Sequence, residues 1–267
     1  LETCELKLVR TGDGTFTLYS ENFGEAMHSD SGAYEEALLK HVRPSSVFDN
    51  NKSSVKVLDV GFGMGYNTLA LVHEAYRQNR EIKIEAVCLE YDNSYSDILF
   101  QIKFEDERDE IYSKILQAFS CGHYKSEMLD IRLIFGDARK NIKKITGEFD
   151  AIFHDPFSPA KNPELWAVEF FKEEFRLLSS NGLITTYSSS SKIRRGMLEA
   201  GLIVGRGPSV GRKKEGTIAG KKEFSAMLSS EEIQKILNNP EAYPYRDPGF
   251  LLTREEIAER RIVDIKI

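Results

Sequence analysis

Long apolar runs are missing from this chain. No stretch approaches the roughly 18 residues that a bilayer-spanning helix requires, so no membrane partner is expected. The N-terminal LETCELKLVR lacks the apolar centre of a secretory signal, so export is not expected either. The chain opens on Leu rather than Met, and a few native residues are expected to precede it. Cysteine is scarce and unpaired: Cys4, Cys88 and Cys121 are scattered, with no C-x-x-C. That argues against a disulfide scaffold or a zinc site and fits a reducing cytoplasm. No metal is expected. Internal repeats and low-complexity tracts are also absent.

What is present is ordinary globular material. The 267 residues are 41% hydrophobic and 29% charged. That is enough for one large α/β domain with additions, or for two small domains. The net charge of −6 by itself disfavours nucleic acid. Its distribution points the other way. Lys192 to Lys222 holds nine Lys and Arg against two Asp and Glu, a local +7 that leaves −13 on the rest. A basic stretch on an acidic body is a candidate phosphate footprint, although such runs often remain simple solvated faces.

Hydrophobic periodicity divides the chain. Residues 5–20 read as a β-hairpin around T-G-D-G, and 33–42 as a helix between Ser31-Gly32 and Pro44. Strands are expected at 55–60, 82–90, 131–136, 149–155 and 182–188. Helices are expected at 66–78, about 94–118, 138–145, 163–178 and 190–200, with short β runs near 202–206 and 215–219. Alternating strands and helices predict an α/β, doubly wound, mainly parallel sheet, here with an antiparallel edge strand. Three parts follow: an N-terminal hairpin and helix (1–50), the α/β domain (51–222) and a C-terminal extension (223–267). Sheets of this kind bind ligands beyond the carboxyl ends of their strands.

The unusual residues lie at those ends. The first strand runs into Asp59-Val-Gly61-Phe-Gly63-Met-Gly65-Tyr-Asn67. Glycine turns the chain tightly and lets a ligand approach the backbone. The spacing is G-x-G-x-G; a dinucleotide fingerprint is G-x-G-x-x-G and serves a pyrophosphate at a helix N-terminus. A tight turn without any ligand is the bland alternative. Glu90 ends the second strand, where an acid can accept both hydroxyls of a ribose. Gly136-Asp137-Ala138 follows the third. Asp137 could read an adenine amine while the Ala138 N–H meets a ring nitrogen, or it could simply cap the next helix. In this order, the Gly loop with Asp59 and Asn67, the Glu and the Gly-Asp resemble the class I Rossmann-like methyltransferases. Their cofactor is S-adenosylmethionine, leaving as S-adenosylhomocysteine.

Strand four ends in His154-Asp155-Pro156-Phe157-Ser158-Pro159. A carboxylate followed by Pro and an aromatic resembles the Asp-Pro-Pro-Tyr loops of amino-methyltransferases. The resemblance makes Asp155 the group that orients an amine beside the cofactor, either as a true base that takes its proton or as an orienting group alone, and Phe157 a face for a base or for the cationic sulfonium. Asp155 could instead be a turn former before Pro156. Pro163 suits the first turn of the next helix, capped by Asn162. Trp166 is expected in the core, and alternation turns His154 away from Asp155.

F-H-D-P-F-S-P-A-K-N-P-E-L-W, with G-F-G-M-G-Y-N upstream, resembles the MnmC methyltransferase family. The likeness extends from Phe16–Ser20 and Gly24-Glu25-Ala26 to Arg194-Arg195-Gly196-Met197 and Gly211-Arg212-Lys213-Lys214-Glu215. It implies methyl transfer to the primary amine of 5-aminomethyl-(2-thio)uridine at the wobble position of tRNA. Many members carry a flavin-dependent oxidase domain as well. This chain resembles the stand-alone form, so no flavin and no obligate protein partner are expected. For tRNA phosphates the candidates are Arg194, Arg195, Arg212, Lys213 and Lys214. Two other readings compete: an aminopropyltransferase of the spermidine synthase type, which the basic stretch disfavours, and a non-catalytic RNA-binding subunit, which the intact Gly61/Glu90/Asp137/Asp155 set disfavours.

Overall fold

The computed structural model describes residues 7–20, 24–28, 32–49, 52–78, 81–209 and 215–266. The expected hairpin is β1 (Lys7–Arg10) and β2 (Phe16–Ser20), antiparallel, and a short β3 (Glu25–Ala26) adds a third strand. Asp13 ties its turn by accepting from the Thr15 amide and from the Thr11 and Thr15 hydroxyls. Helix α1 (Ala33–Glu36) continues as a wider π-helix over Ala37–Val42, where the Arg43 amide reaches back to the Leu38 carbonyl. Ser31 and Cys4 lie outside the described residues.

The α/β body follows: β4 (Ser54–Val60), α2 (Tyr66–Arg77), β5 (Lys83–Glu90), α3 (Ser96–Leu99), α4 (Arg108–Cys121), β6 (His123–Lys125), β7 (Leu129–Phe135), α5 (Ala138–Ile142) and β8 (Phe149–His154). A 3₁₀ turn (Pro163–Trp166), α6 (Val168–Leu177), β9 (Leu178–Thr186), α7 (Ser191–Glu199), β10 (Ile203–Arg206) and β11 (Thr217–Gly220) complete the sheet region. The eight strands lie in the order β10-β11-β9-β8-β4-β5-β7-β6. The five central strands are parallel, and antiparallel pairs flank them on both sides rather than on one. The chain runs outward from β4 through β5 and β7, then returns to β8 on β4's other side. The strand order therefore reverses between β4 and β8, and a doubly wound sheet opens its crevice at such a point.

Three expectations need correction. The helix expected over 94–118 is two helices. Between them the Asp109 carboxylate accepts from the Phe104 amide and Asp106 from the Arg108 amide, and such local bonds compete with helix continuation. The helix expected over 163–178 is a 3₁₀ turn and α6, because Ala167 takes an extended conformation between them. Strand β6, absent from the sequence reading, pairs with β7 on the sheet edge.

Apolar side chains cover both faces. One layer joins Leu18, Leu38, Val42, Leu69, Tyr112 and Phe119, so the N-terminal segments pack into the same core as α2 and α4. The other joins Ile142, Trp166, Phe170, Ile193 and Met197 with Tyr245 and Ile257 of the tail. That tail contains α8 (Ser230–Leu237) and α9 (Arg254–Lys266). Among the described residues no helix is long and apolar enough to cross a membrane.

Candidate active site

Four strand ends, those of β4, β5, β7 and β8, meet at the switch point. The Gly61 and Phe62 amides donate to the Leu89 carbonyl, Gly136 donates to the Glu90 carbonyl, and Asp155 donates to the Val60 carbonyl. Gly61 has a φ of 82°, and a Cβ there would stand 2.7 Å from the Asp155 carbonyl oxygen and 2.8 Å from Pro156 Cα. Only glycine permits this approach of the first strand's loop to the Asp155 loop.

Glu90 faces the glycine loop. Its Oε2 accepts from the Gly63 amide at 2.8 Å, and Oε1 accepts from the Tyr91 and Asp92 amides. Burial raises its pKa against these bonds. Asp59 lies beneath the loop, 1% exposed, and accepts from Asn67 Nδ2 and the Thr68 hydroxyl. Burial pushes its pKa up to about 7, and Asp155 adds to the rise. Gly63 and Gly65 also have positive φ, which brings the loop round to α2.

Asp155 is clamped. Its Oδ2 accepts from Asn67 Nδ2 at 3.0 Å, and its Oδ1 stands 3.4 Å from His41 Nε2. Burial alone would raise its pKa, but the His41 imidazole outweighs burial, with His28 and Asn67 helping, and holds it below the usual carboxylate range. This makes Asp155 a good hydrogen-bond acceptor and a weak base. Asn67 Nδ2 spans Asp59 and Asp155 and so links the glycine loop to the strand-four loop.

The strand-four loop is pinned from three sides. Glu25 accepts from the Ser158 amide at 2.7 Å and from its hydroxyl at 2.8 Å. The Tyr187 hydroxyl donates to the Pro156 carbonyl, and Trp166 Nε1 donates to the Phe157 carbonyl. Phe157 stays half-buried beside Asp155. His154 is fully buried on the opposite side, with Nδ1 2.6 Å from Glu174 and its ring against Trp166 and Phe171. Trp166 is itself core. Asn162 precedes the 3₁₀ turn without a side-chain cap bond.

Asp137 does cap α5, accepting from the Arg139 amide. The Arg139 guanidinium also grips its carboxylate and reaches Asp247 and the Leu252 carbonyl. Burial raises the Asp137 pKa, but Arg139 more than reverses this. The structural role of Asp137 is therefore explicit, and an adenine amine there would share an already engaged carboxylate next to Ala138.

The basic stretch requires the strongest revision. Arg194 is buried and donates to the Thr217 hydroxyl, Glu215 and the Gly216 carbonyl. Arg195 pairs with Glu199 and lies over the Tyr243 ring. Lys192 donates to the Tyr245 hydroxyl, and Arg206 pairs with Glu215 and Glu232. These cations hold the fold. Arg212, Lys213 and Lys214, with Gly211, lie outside the described residues.

His41, Glu25 and Tyr187 were not singled out from sequence. Glu25 stood within the Gly24-Glu25-Ala26 signature but carried no role. Nothing in the spacing around His41 points to chemistry. Among the described residues, no group of three His, Cys, Asp or Glu could hold a metal.

Comparison with known proteins fits this geometry. Residues 102–222 match a family model described as S-adenosyl-L-methionine-dependent methyltransferase. The crystal structure of MnmC2 from Aquifex aeolicus superposes with a TM-score of 0.89 at 32% identity, over 100% of this chain and 87% of that one. An uncharacterized protein of Methanocaldococcus jannaschii is 37% identical over 263 residues, 95% of this chain and 71% of that protein. The tRNA 5-methylaminomethyl-2-thiouridine biosynthesis bifunctional protein MnmC of Pseudomonas syringae is 30% identical over 167 residues. That match covers 59% of this chain but only 25% of the bifunctional protein.

Proposed function

Because the chain belongs to the MnmC2 family of S-adenosylmethionine-dependent methyltransferases, we propose that it methylates the primary amine of 5-aminomethyl-(2-thio)uridine at the wobble position of tRNA, giving the 5-methylaminomethyl nucleoside. The observation that carries this reading is the fixed Asp155 carboxylate, held between Asn67 and His41 directly against Gly61.

The residues present suit the cofactor. Gly63 leaves backbone without a side chain and Glu90 stands beside it, while Asp59 and Asn67 support the loop from beneath, with Asp137 and Ala138 at the next strand end. When bound, S-adenosylmethionine supplies an electrophilic methyl carbon whose bond to sulfur breaks as the bond to nitrogen forms. The protein must then deliver a nitrogen with a free lone pair. Asp155 accepts an N–H of the amine and so aims that lone pair, an entropic advantage of positioning. Its lowered pKa makes it an orienting acceptor rather than a general base. The nitrogen enters neutral and leaves as a secondary ammonium, so no proton needs to be lost during attack. Phe157 and Pro156, anchored by Trp166 and Tyr187, keep water from the amine.

The phosphate contacts fall to Arg212, Lys213 and Lys214, since Arg194 and Arg195 are committed within the fold. The reading places the protein in the cytoplasm with tRNA. Incubation with methyl-labelled S-adenosylmethionine and tRNA bearing 5-aminomethyl-2-thiouridine, followed by nucleoside mass spectrometry, tests it. A labelled methylaminomethyl nucleoside is expected; unlabelled tRNA with active cofactor binding contradicts the assigned substrate.

A further inference from the structure

His41 is fully buried on the π-helical turn, yet its ring reaches the active-site carboxylate. Both of its nitrogens face oxygen. Nδ1 lies 3.3 Å from the Thr185 hydroxyl oxygen, and that hydroxyl donates to the His41 carbonyl at 3.5 Å. When its hydrogen is directed to that carbonyl, the Thr185 hydroxyl accepts from Nδ1. Nε2 faces Asp155 Oδ1, which can accept but not donate while ionised. An imidazolium suits both contacts, donating from Nδ1 to Thr185 and placing its charge 3.4 Å from the Asp155 carboxylate in an ion pair.

The surroundings favour that cation. The charged groups bearing on it are Asp155, Asp59 from β4 and Glu36 from its own helix, and the Phe153 ring packs beside it. Burial pushes its pKa down, but these carboxylates more than reverse this. Lys40, its neighbour in sequence, sends its ammonium to the Pro208 carbonyl instead. His28 bears on Asp155 as a further positive influence.

We propose that His41 is a positioning residue for methyl transfer: as an imidazolium it holds Asp155 ionised and fixed, and it cancels the negative field that would otherwise keep the substrate amine protonated. This rests on the amine reading given above. A bare buried carboxylate would aim the amine but also stabilise its unreactive ammonium form. Pairing the carboxylate with a cation keeps the acceptor and removes most of that penalty. The amine then gives its proton to solvent before attack at a lower pH than it would beside Asp155 alone.

Two measurements on the intact protein test this. The chain has five histidines, so ¹⁵N-histidine labelling with His41→Gln for assignment isolates one ring. His41 is expected to carry imidazolium shifts near neutral pH and to titrate at clearly lower pH in Asp155→Asn. A neutral His41 ring throughout that range in the wild type overturns the proposal, whatever the enzyme's activity. The second measurement is single-turnover methylation of tRNA bearing 5-aminomethyl-2-thiouridine between about pH 6 and 10. The wild-type rate should rise with pH as the amine deprotonates. His41→Gln keeps a donor of similar size without the charge, and should move that rising limb up by about one pH unit. Its rate would then be roughly tenfold lower along the limb and converge at the plateau. An unshifted limb, whether or not the rate falls uniformly, means that His41 is only structural. If the wild type does not methylate this tRNA, the amine reading fails, and the ring titration still decides whether His41 is the cation inferred.

Discussion

Asp59 keeps a carboxylate in the protein interior beneath the glycine loop, and burial pushes its pKa up to about 7 from a usual 3.8. The sign of the consequence is definite. A raised acid pKa means that deprotonation favours the unfolded chain, so this residue costs stability progressively as pH rises from about 4 to 7. The cost is on the order of 4 kcal/mol above pH 7. Asp59→Asn should therefore flatten the loss of melting temperature on that side of the profile, at the expense of cofactor binding. Thermal melts of the ligand-free protein at pH 5 and 8 check it; parallel losses in both proteins would rule it out. Glu90→Ala removes an acceptor from three amides; if Glu90 also holds the ribose as proposed, S-adenosylmethionine should bind more weakly by about 1.5–3 kcal/mol, a hydrogen bond to a charged group. Calorimetry showing unchanged affinity would remove the ribose role. These residues were legible because each sits at a fixed offset from a strand end: Gly61, Glu90, Asp137 and Asp155 all follow an apolar run. His41 was not legible. It lies on a helix outside the alternating body, and its partner is 114 positions away in the chain. Arg194 misled for the opposite reason, since a charge run in sequence does not reveal that Glu215, Thr217 and Gly216 absorb it.

Elements, rather than single side chains, carry the site across the molecule. Strand β3 brings Glu25 to Ser158 and so fastens the N-terminal sheet to the loop that carries Asp155. Glu25→Ala should lower kcat/KM on modified tRNA by roughly tenfold through poorer positioning, with cofactor affinity little altered. Equal loss of both would place Glu25 in folding alone. At the other end α5 and the tail are tied through Arg139, which bridges Asp137 to Asp247, a fully buried acid whose other oxygen accepts from the Leu251 and Leu252 amides. Asp247→Ala leaves those donors and the guanidinium without their acceptor. Destabilisation on the order of 3 kcal/mol is expected, read from denaturant unfolding; a change within about 0.5 kcal/mol, typical of a surface site, would contradict it. Periodicity located most strands because their apolar runs are bounded by turns. It missed the break before α4 because Asp106 and Asp109 act through backbone bonds that leave no periodic trace. It missed β6 because two exposed residues around one half-buried tyrosine on an edge make no apolar run.

At the scale of the whole molecule, the proposed substrate is a polyanion, which a chain of net charge −6 would have to bring to the carboxyl edge of its sheet. Arg194, Arg195 and Lys192 of the basic stretch are engaged within the fold, so the proposed tRNA footprint is assigned to Arg212, Lys213 and Lys214. Replacing Arg212, Lys213 and Lys214 with Ser should weaken tRNA binding and flatten its salt dependence by up to about three units of slope, near one for each phosphate no longer neutralised. An unaltered slope would put the footprint elsewhere. The whole account depends on Asp155. Asp155→Ala should bind S-adenosylmethionine nearly as the wild type does, yet transfer methyl to the amine roughly 100-fold more slowly, the scale on which a positioned group acts. The decisive measurement is the single-turnover rate of methyl transfer to tRNA carrying 5-aminomethyl-2-thiouridine, wild type beside Asp155→Ala. The account predicts a labelled 5-methylaminomethyl nucleoside with the wild type and a rate lower by at least about two orders of magnitude with the variant; a variant that methylates this tRNA at the wild-type rate would contradict it.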